Sequence, residues 1–228
     1  RHIEIWNAGV FMQYFKDEQG NFSPLPMKCV DTGAGLERFA MILQDRASIH
    51  EIDQYDPSYQ LINQRIGDTA WTRVILDHIK TSILMIREGI IPSNTREGYL
   101  LRRALRRAMI GIFLRGINLT ILQEWADSLS EVIDNKNLTF RQKSVIAHWL
   151  SEEREGFEKL MHRSRKYLDK IVVAKELDAQ HAFTLKTGMG IPEDLLEEFC
   201  ARHGILFPKA EFLKLIEEHR DVSRRPKK

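Results

Sequence analysis

Val30-Asp31-Thr32-Gly33-Ala34-Gly35-Leu36-Glu37-Arg38 is the stretch on which the fold turns. It carries an apolar strand pattern into a Gly-X-Gly step and then into a helical pattern from Leu36 through Leu43. Upstream, Ile3 to Phe15 is rich in β-branched and aromatic residues, which favour a pleated, half-buried surface. Asp17-Glu18-Gln19-Gly20-Asn21 reads as a turn, and Phe22 to Val30, with prolines at 24 and 26, as a second strand. The expected unit is a bent antiparallel pair.

Downstream of about residue 55, helical spacing takes over. Trp71, Val74, Ile75, Ile79, Ile83 and Ile86 form one stripe, with Gly89 as its stop. Leu101–Ile112, Ile121–Ile133 and Ser144–Leu168 carry further stripes, and Glu193–His203 and Ala210–Arg220 two shorter ones. Gly204 suits a helix C-terminus. The predicted fold class is α+β. Residues 1–55 form a short strand-bearing piece and residues 56–228 a mainly helical domain.

Composition narrows the function classes. A chain of 228 residues that is 43% hydrophobic and 29% charged can bury a core, unlike a disordered segment. Cys29 and Cys200 are its two cysteines, too few for a disulfide framework or a four-cysteine zinc site. No zinc is expected, and the expected setting is the reducing cytoplasm. No apolar run approaches the roughly 20 residues of a membrane span, so no membrane partner is expected. The eight histidines are scattered, and no metal site is expected. His78, on an apolar stripe beside Asp77, reads as a hydrogen-bonded core histidine. Net charge is only +2, so a polyanion partner must be argued from where the basic residues lie. The chain opens at Arg1 directly into a strand pattern, which reads as a piece of a longer chain. Arg224-Arg225-Pro226-Lys227-Lys228 reads as a frayed basic end.

Two stretches can carry chemistry. At 31–38, a strand, Gly-X-Gly and a helix N-terminus can bring backbone N–H groups to an anion without Cβ interference. Asp31 can bind an ammonium group there, and Arg38 can reach a phosphate or stack on a base. A solvated glycine turn has the same residues. From Tyr99 to Leu114, Arg102, Arg103, Arg106 and Arg107 cluster opposite Leu101, Ala104, Leu105, Ala108, Met109 and Ile112. Like charges at helical spacing repel by a few tenths of a kcal/mol per pair. An acidic neighbouring helix or a polyanion relieves that repulsion, and a solvated face tolerates it. Before this helix lies Pro92-Ser93-Asn94-Thr95-Arg96-Glu97-Gly98, an ordered loop whose Asn94 can face a base edge.

Together these segments resemble the alanyl-tRNA synthetase family, among the class II aminoacyl-tRNA synthetases. Glu4-Ile5-Trp6-Asn7 followed by Val10-Phe11-Met12-Gln13-Tyr14 is similar to the family's EIWN-x-VFMQ(F/Y) segment. Pro24-Leu25-Pro26 and Val30 to Arg38 are similar to its PLP and VDTGMGLER signature, the third class II motif. Arg73-Val74-Ile75-Leu76-Asp77-His78 is similar to YRVIADH. The run PSNTREGYLLRRALRRA from Pro92 resembles PSNxGRGYVLRRILRRA. Thr187-Gly188-Met189-Gly190, read as a loop, stands where the family has an Asp-Thr-Tyr-Gly step before Gly190-Ile191-Pro192-Glu193-Asp194-Leu195.

The resemblance implies that residues 1–55 are the C-terminal part of a class II aminoacylation core. Residues 56–228 become a helical tRNA-recognition domain. It implies an alanine–tRNA ligase activity: ATP with Mg²⁺ and L-alanine as substrates, and the acceptor stem of tRNA(Ala) as partner. Ile5, Trp6, Asn7, Gly35 and Arg38 would bind ATP. Asn7, Val10, Asp31 and Gly33 would bind alanine, with Asp31 on its α-ammonium, and Asp31 and Arg38 would be the catalytic pair. Asn94 and Asp194 would read a G·U pair, with Arg96, Arg102, Arg103, Arg106 and Arg107 on the RNA. The first two class II motifs are not in this stretch. The expected molecule therefore works with the remainder of the synthetase, in cis or as a partner chain, and does not activate alanine unaided. The alternative is a stand-alone relative that binds acceptor-stem RNA without catalysis.

Overall fold

A computed structural model describes residues 2–67, 69–133 and 138–224. Arg1 and the basic residues 225–228 lie outside the described residues. The chain is α+β and divides into two compact units, Arg1–Asp56 and Pro57–Lys228.

The first unit is built on β1 (Trp6–Lys16) and β2 (Phe22–Ala34), an antiparallel two-stranded sheet. Their turn is tied by the Asp17 carboxylate, which accepts from the Asn21 backbone N–H at 2.8 Å and its Nδ2 at 3.1 Å. These bonds hold the Asp17 carboxyl below its ordinary value. The register pairs Trp6 with Ala34, Asn7 with Gly33 and Val10 with Asp31, and it shifts between Asn7 and Val10. Gly9 sits at that bulge with φ of 129°, a conformation side chains resist.

One expectation is corrected here. Asp31–Ala34 is not a glycine turn: β2 runs through it because Asp31, Gly33 and Ala34 pair with Val10, Asn7 and Trp6 on β1. Only Gly35 departs, as the N-cap of α1 (Leu36–Leu43), and its backbone N–H donates to the Ile5 carbonyl at 3.0 Å. A short 3₁₀ turn, Ile49–Glu51, follows. Met41, Ile52 and Tyr55 are buried, whereas the ribbon's large apolar side chains are exposed, Phe11 by 70% and Met27 by 72%.

The second unit is helical. It comprises α2 (Asp56–Ile66), α3 (Thr69–Arg87), α4 (Arg96–Phe113), α5 (Ile121–Ile133), α6 (Phe140–Ala174), α7 (Ala179–Met189), α8 (Glu193–Arg202) and α9 (Lys209–Arg224). The α3 stripe buries Ile75, Ile79, Ile83 and Ile86, and the helix packs on α4, α5 and α6. α4 also packs on α6 and α8, and α7 on α9. α6 is opened by a capping box: Thr139 Oγ1 accepts from the Gln142 N–H, and Gln142 Oε1 accepts from the Thr139 N–H at 2.9 Å. The segments 56–66 and 179–189 are helices that apolar spacing did not announce. Residues 187–189 close α7 instead of forming a loop, with Gly190 as its left-handed C-cap at φ of 76°. Among the described residues, no helix is long and apolar enough to cross a membrane.

Candidate nucleotide and RNA sites

In the first unit, alternation along the strands sorts the residues by face. Asn7 lies opposite Gly33, and Asp31 lies two residues from Gly33 on the same face. Trp6 lies opposite Ala34 and shares its face with Thr32, which a hydrogen bond of 3.0 Å from Trp6 Nε1 to Thr32 Oγ1 makes concrete. The Thr32 hydroxyl in turn donates to the Asn7 carbonyl at 2.8 Å. Val10 pairs with Asp31 through the backbone. The Asn7 amide oxygen accepts from the Gly9 N–H at 3.3 Å and so braces the bulge. Arg38, exposed on the first turn of α1, donates to the Glu4 carbonyl, and Ile5 is joined to Gly35. The eight predicted positions of this unit therefore lie at one end of the ribbon, but Trp6 and Asn7 stand on opposite faces of it. Asp31 is exposed.

In the second unit, the loop into α4, α4 itself and the start of α8, far away in sequence, meet around a cavity of about 320 Å³. Asn94 comes from the loop before α4, Arg102, Arg103, Arg106 and Arg107 from α4, and Asp194 from the first turn of α8. Arg96 is not in that lining. It opens α4 at φ of 49°, exposed.

The loop is set by close packing. The Ser93 N–H donates to the Gly98 carbonyl at 3.0 Å, and Ser93 Oγ donates to the Thr95 carbonyl at 3.0 Å. A Cβ at Gly98 would stand 2.3 Å from Ser93 Oγ and 2.4 Å from the Ile91 carbonyl, so only glycine lets the loop fold back. Pro92 is buried beneath it while Asn94 stays exposed.

The arginine cluster is not a solvated face. Arg102 places both Nε and Nη2 at 2.8 Å from Glu153 Oε1 on α6. Arg106 Nε lies 3.7 Å from Glu153 Oε2, and Arg107 Nη1 lies 3.3 Å from Asp194 Oδ2. Neighbouring helices thus supply the acids that relieve the i,i+4 repulsion. Burial pushes the Arg106 guanidinium below its ordinary value, against the pull of Glu153. Arg103 alone of the four is exposed. His78 is half-buried, and burial first, then Arg107, lower its value.

Lys186, Tyr99 and Glu193 also line the cavity, with Lys186 Nζ 2.7 Å from Glu193 Oε2. Glu153, behind the arginines, belongs to none of the sequence motifs. A signal existed: it occupies an apolar position in the α6 series Ile146, Leu150, Glu153, Phe157, Leu160. Among the described residues, no group of three or more His, Cys, Asp or Glu could hold a metal ion.

Comparisons with known proteins agree on one family. The model of "tRNA synthetases class II (A)" matches residues 1–228. An alanine–tRNA ligase of Borrelia hermsii is 33% identical over 99% of the chain and 40% of its own length. The alanine–tRNA ligase of Thermotoga petrophila is 36% identical over 98% of the chain and 27% of its own length. That of Acidovorax sp. JS42 is 36% identical over 98% and 26% respectively. The chain thus spans between about a quarter and two-fifths of these relatives. With its helical groove, its strand-to-helix Asp31–Arg38 segment and these likenesses in hand, the chain belongs to the class II (A) tRNA synthetase family, in company with alanine–tRNA ligases.

Proposed function

We propose that the chain serves ATP-dependent activation of L-alanine and its transfer to tRNA(Ala). In this reading the alanine carboxylate attacks the α-phosphorus of ATP, pyrophosphate leaves, and the alanyl group passes to the terminal ribose. Asp31, exposed and on the Asn7 face of the ribbon, would pair with the α-ammonium, with Gly33 and Val10 beside it. Arg38 would meet the nucleotide, which arrives as its Mg²⁺ complex, and Ile5, Trp6 and Gly35 would flank it. Such chemistry rests on positioning and charge neutralisation. The bond from Trp6 to Thr32 argues that Trp6 frames this end of the ribbon from the reverse face.

The helical unit would bind the acceptor stem and read its G·U pair. The observation that carries this is the cavity where Asn94 and Asp194, a hundred residues apart in sequence, meet over a floor of arginines. Amides and carboxylates read base edges, while guanidinium forks suit phosphate oxygens. Arg103, exposed, is the best placed for a phosphate. Arg102, Arg106 and Arg107 must share their forks with Glu153 and Asp194. Arg96 would reach RNA only outside the cavity.

Titration with an acceptor-stem hairpin carrying G·U against one carrying G·C tests the reading. The protein should prefer G·U, and Asn94→Ala should remove most of that preference. Equal binding of both hairpins by the parent protein would refute it. A non-catalytic acceptor-stem binder is the second reading, favoured by the bareness of the ribbon. Joining a segment that carries the first two class II motifs to the chain separates the two: ATP–pyrophosphate exchange in the joined protein supports the synthetase, and hairpin binding without exchange supports the binder.

A further inference from the structure

Asn94 does not stand alone in its loop. Its Oδ1 accepts a hydrogen bond from Arg102 Nη1. The other edge of the same guanidinium, Nε and Nη2, is held at 2.8 Å by Glu153 Oε1. Glu153 is only 7% exposed, and its Oε2 has no hydrogen-bond partner among the described residues. A buried carboxylate with one oxygen held only by the more distant Arg106 Nε, at 3.7 Å, is costly for the fold, so what its other oxygen holds matters.

We propose that Glu153 is a positioning residue for base reading: through Arg102 it fixes Asn94 as a hydrogen-bond donor toward the cavity. This rests on the reading of the groove as the acceptor-stem site. A free asparagine amide can turn over and offer either an acceptor or a donor. Arginine has donors and no acceptor, so the atom facing it must be Oδ1. The Nδ2 group is thereby left for the ligand. With Glu153 gripping Nε and Nη2, Arg102 cannot rotate away and release the amide. A donor at that point pairs with a keto oxygen and is repelled by an exocyclic amine. In the major groove that is the difference between the O4 of uracil and the N4 amino group of cytosine opposite the same guanine. The clamp therefore converts an ambivalent side chain into one that favours G·U over G·C.

The test compares G·U and G·C hairpins on wild-type protein, Asn94→Ala, Glu153→Gln and the double variant, with thermal melting as a folding control. Glu153→Gln keeps the shape and weakens the grip. It should cut the G·U preference by at least about fivefold, the lower end of what one base-edge contact discriminates. The double variant should show the same preference as Asn94→Ala alone, since Glu153 sets the base preference through Arg102 and Asn94, whereas its pairing with Arg106 touches no base-reading group. Should Glu153→Gln melt below the assay temperature, Arg102→Lys serves instead, because a lysine ammonium cannot straddle both partners, and it should lose preference equally. Unchanged preference in a folded Glu153→Gln or Arg102→Lys overturns the clamp and leaves the Asn94 reading intact. A double variant poorer than Asn94→Ala also overturns it. A wild-type protein with no preference overturns both.

Discussion

Asn94 and Gly98 divide the labour of one short loop. The amide faces the cavity, and the glycine lets the backbone fold tightly enough to hold it there. Gly98→Ala places a methyl carbon 2.4 Å from the backbone oxygen of Ile91, an atom that cannot swing aside as a side chain does. Overpacking of this kind costs about 1–3 kcal/mol. The variant should unfold at a lower urea concentration and bind the G·U hairpin with reduced preference, because the loop that carries Asn94 must move. Wild-type stability and preference in Gly98→Ala would show that the loop has slack. Asp31 is placed by a different device. Its place is set by the backbone ladder, through the pairing of Val10 with Asp31.

The elements differ in what holds them. α4 is held by burial of Leu101, Leu105, Ala108, Met109 and Ile112, and its basic side by acids on α6 and α8. α6, the longest helix, starts from a capping box that satisfies orphan N–H groups at both Thr139 and Gln142. Thr139→Ala should cost about 1 kcal/mol, with a lower urea midpoint at an unchanged denaturant slope. Because Glu153 lies well inside α6, the same variant should leave the hairpin preference intact. A shift in preference would mean that fraying of the cap reaches the arginine cluster. The acidic residues Glu193 and Asp194 in the first turn of α8 suit its N-terminal dipole, so Asp194 is placed for the groove and favoured by its own helix.

At the scale of the whole molecule the two units are unequal. The helical unit has a continuous core running from Tyr59 to Phe212. The ribbon has two strands and exposes Trp6, Phe11, Tyr14, Phe15, Phe22, Met27 and Val30. A two-stranded hairpin is marginal in water, and an apolar surface of that extent marks a place for further structure. The 228-residue chain by itself should therefore give no ATP–pyrophosphate exchange, and the amides of β1 and β2 should exchange with solvent far faster than those of α3 and α4. Measurable pyrophosphate exchange by this chain would show that the ribbon's residues suffice.

Local pattern alone determined much of this protein. Strand-formers before and after Asp17–Asn21 gave the hairpin, and apolar spacing gave α3, α4, α5, α6, α8 and α9, because burying one face dictates the period. The motifs around Asp31 and Pro92 pointed to both candidate sites. Local pattern failed where neighbours decide. Gly33 reads as a turn until the partner strand pairs it, and residues 179–189 read as nothing until α9 packs on them. A wheel leaves the arginines' partners open, whether acids, a polyanion or water, because it cannot show α6 and α8. Only tertiary structure put Glu153 behind Arg102 and Asp194 across from Asn94, because contacts between segments far apart in the chain depend on packing and leave no period to read.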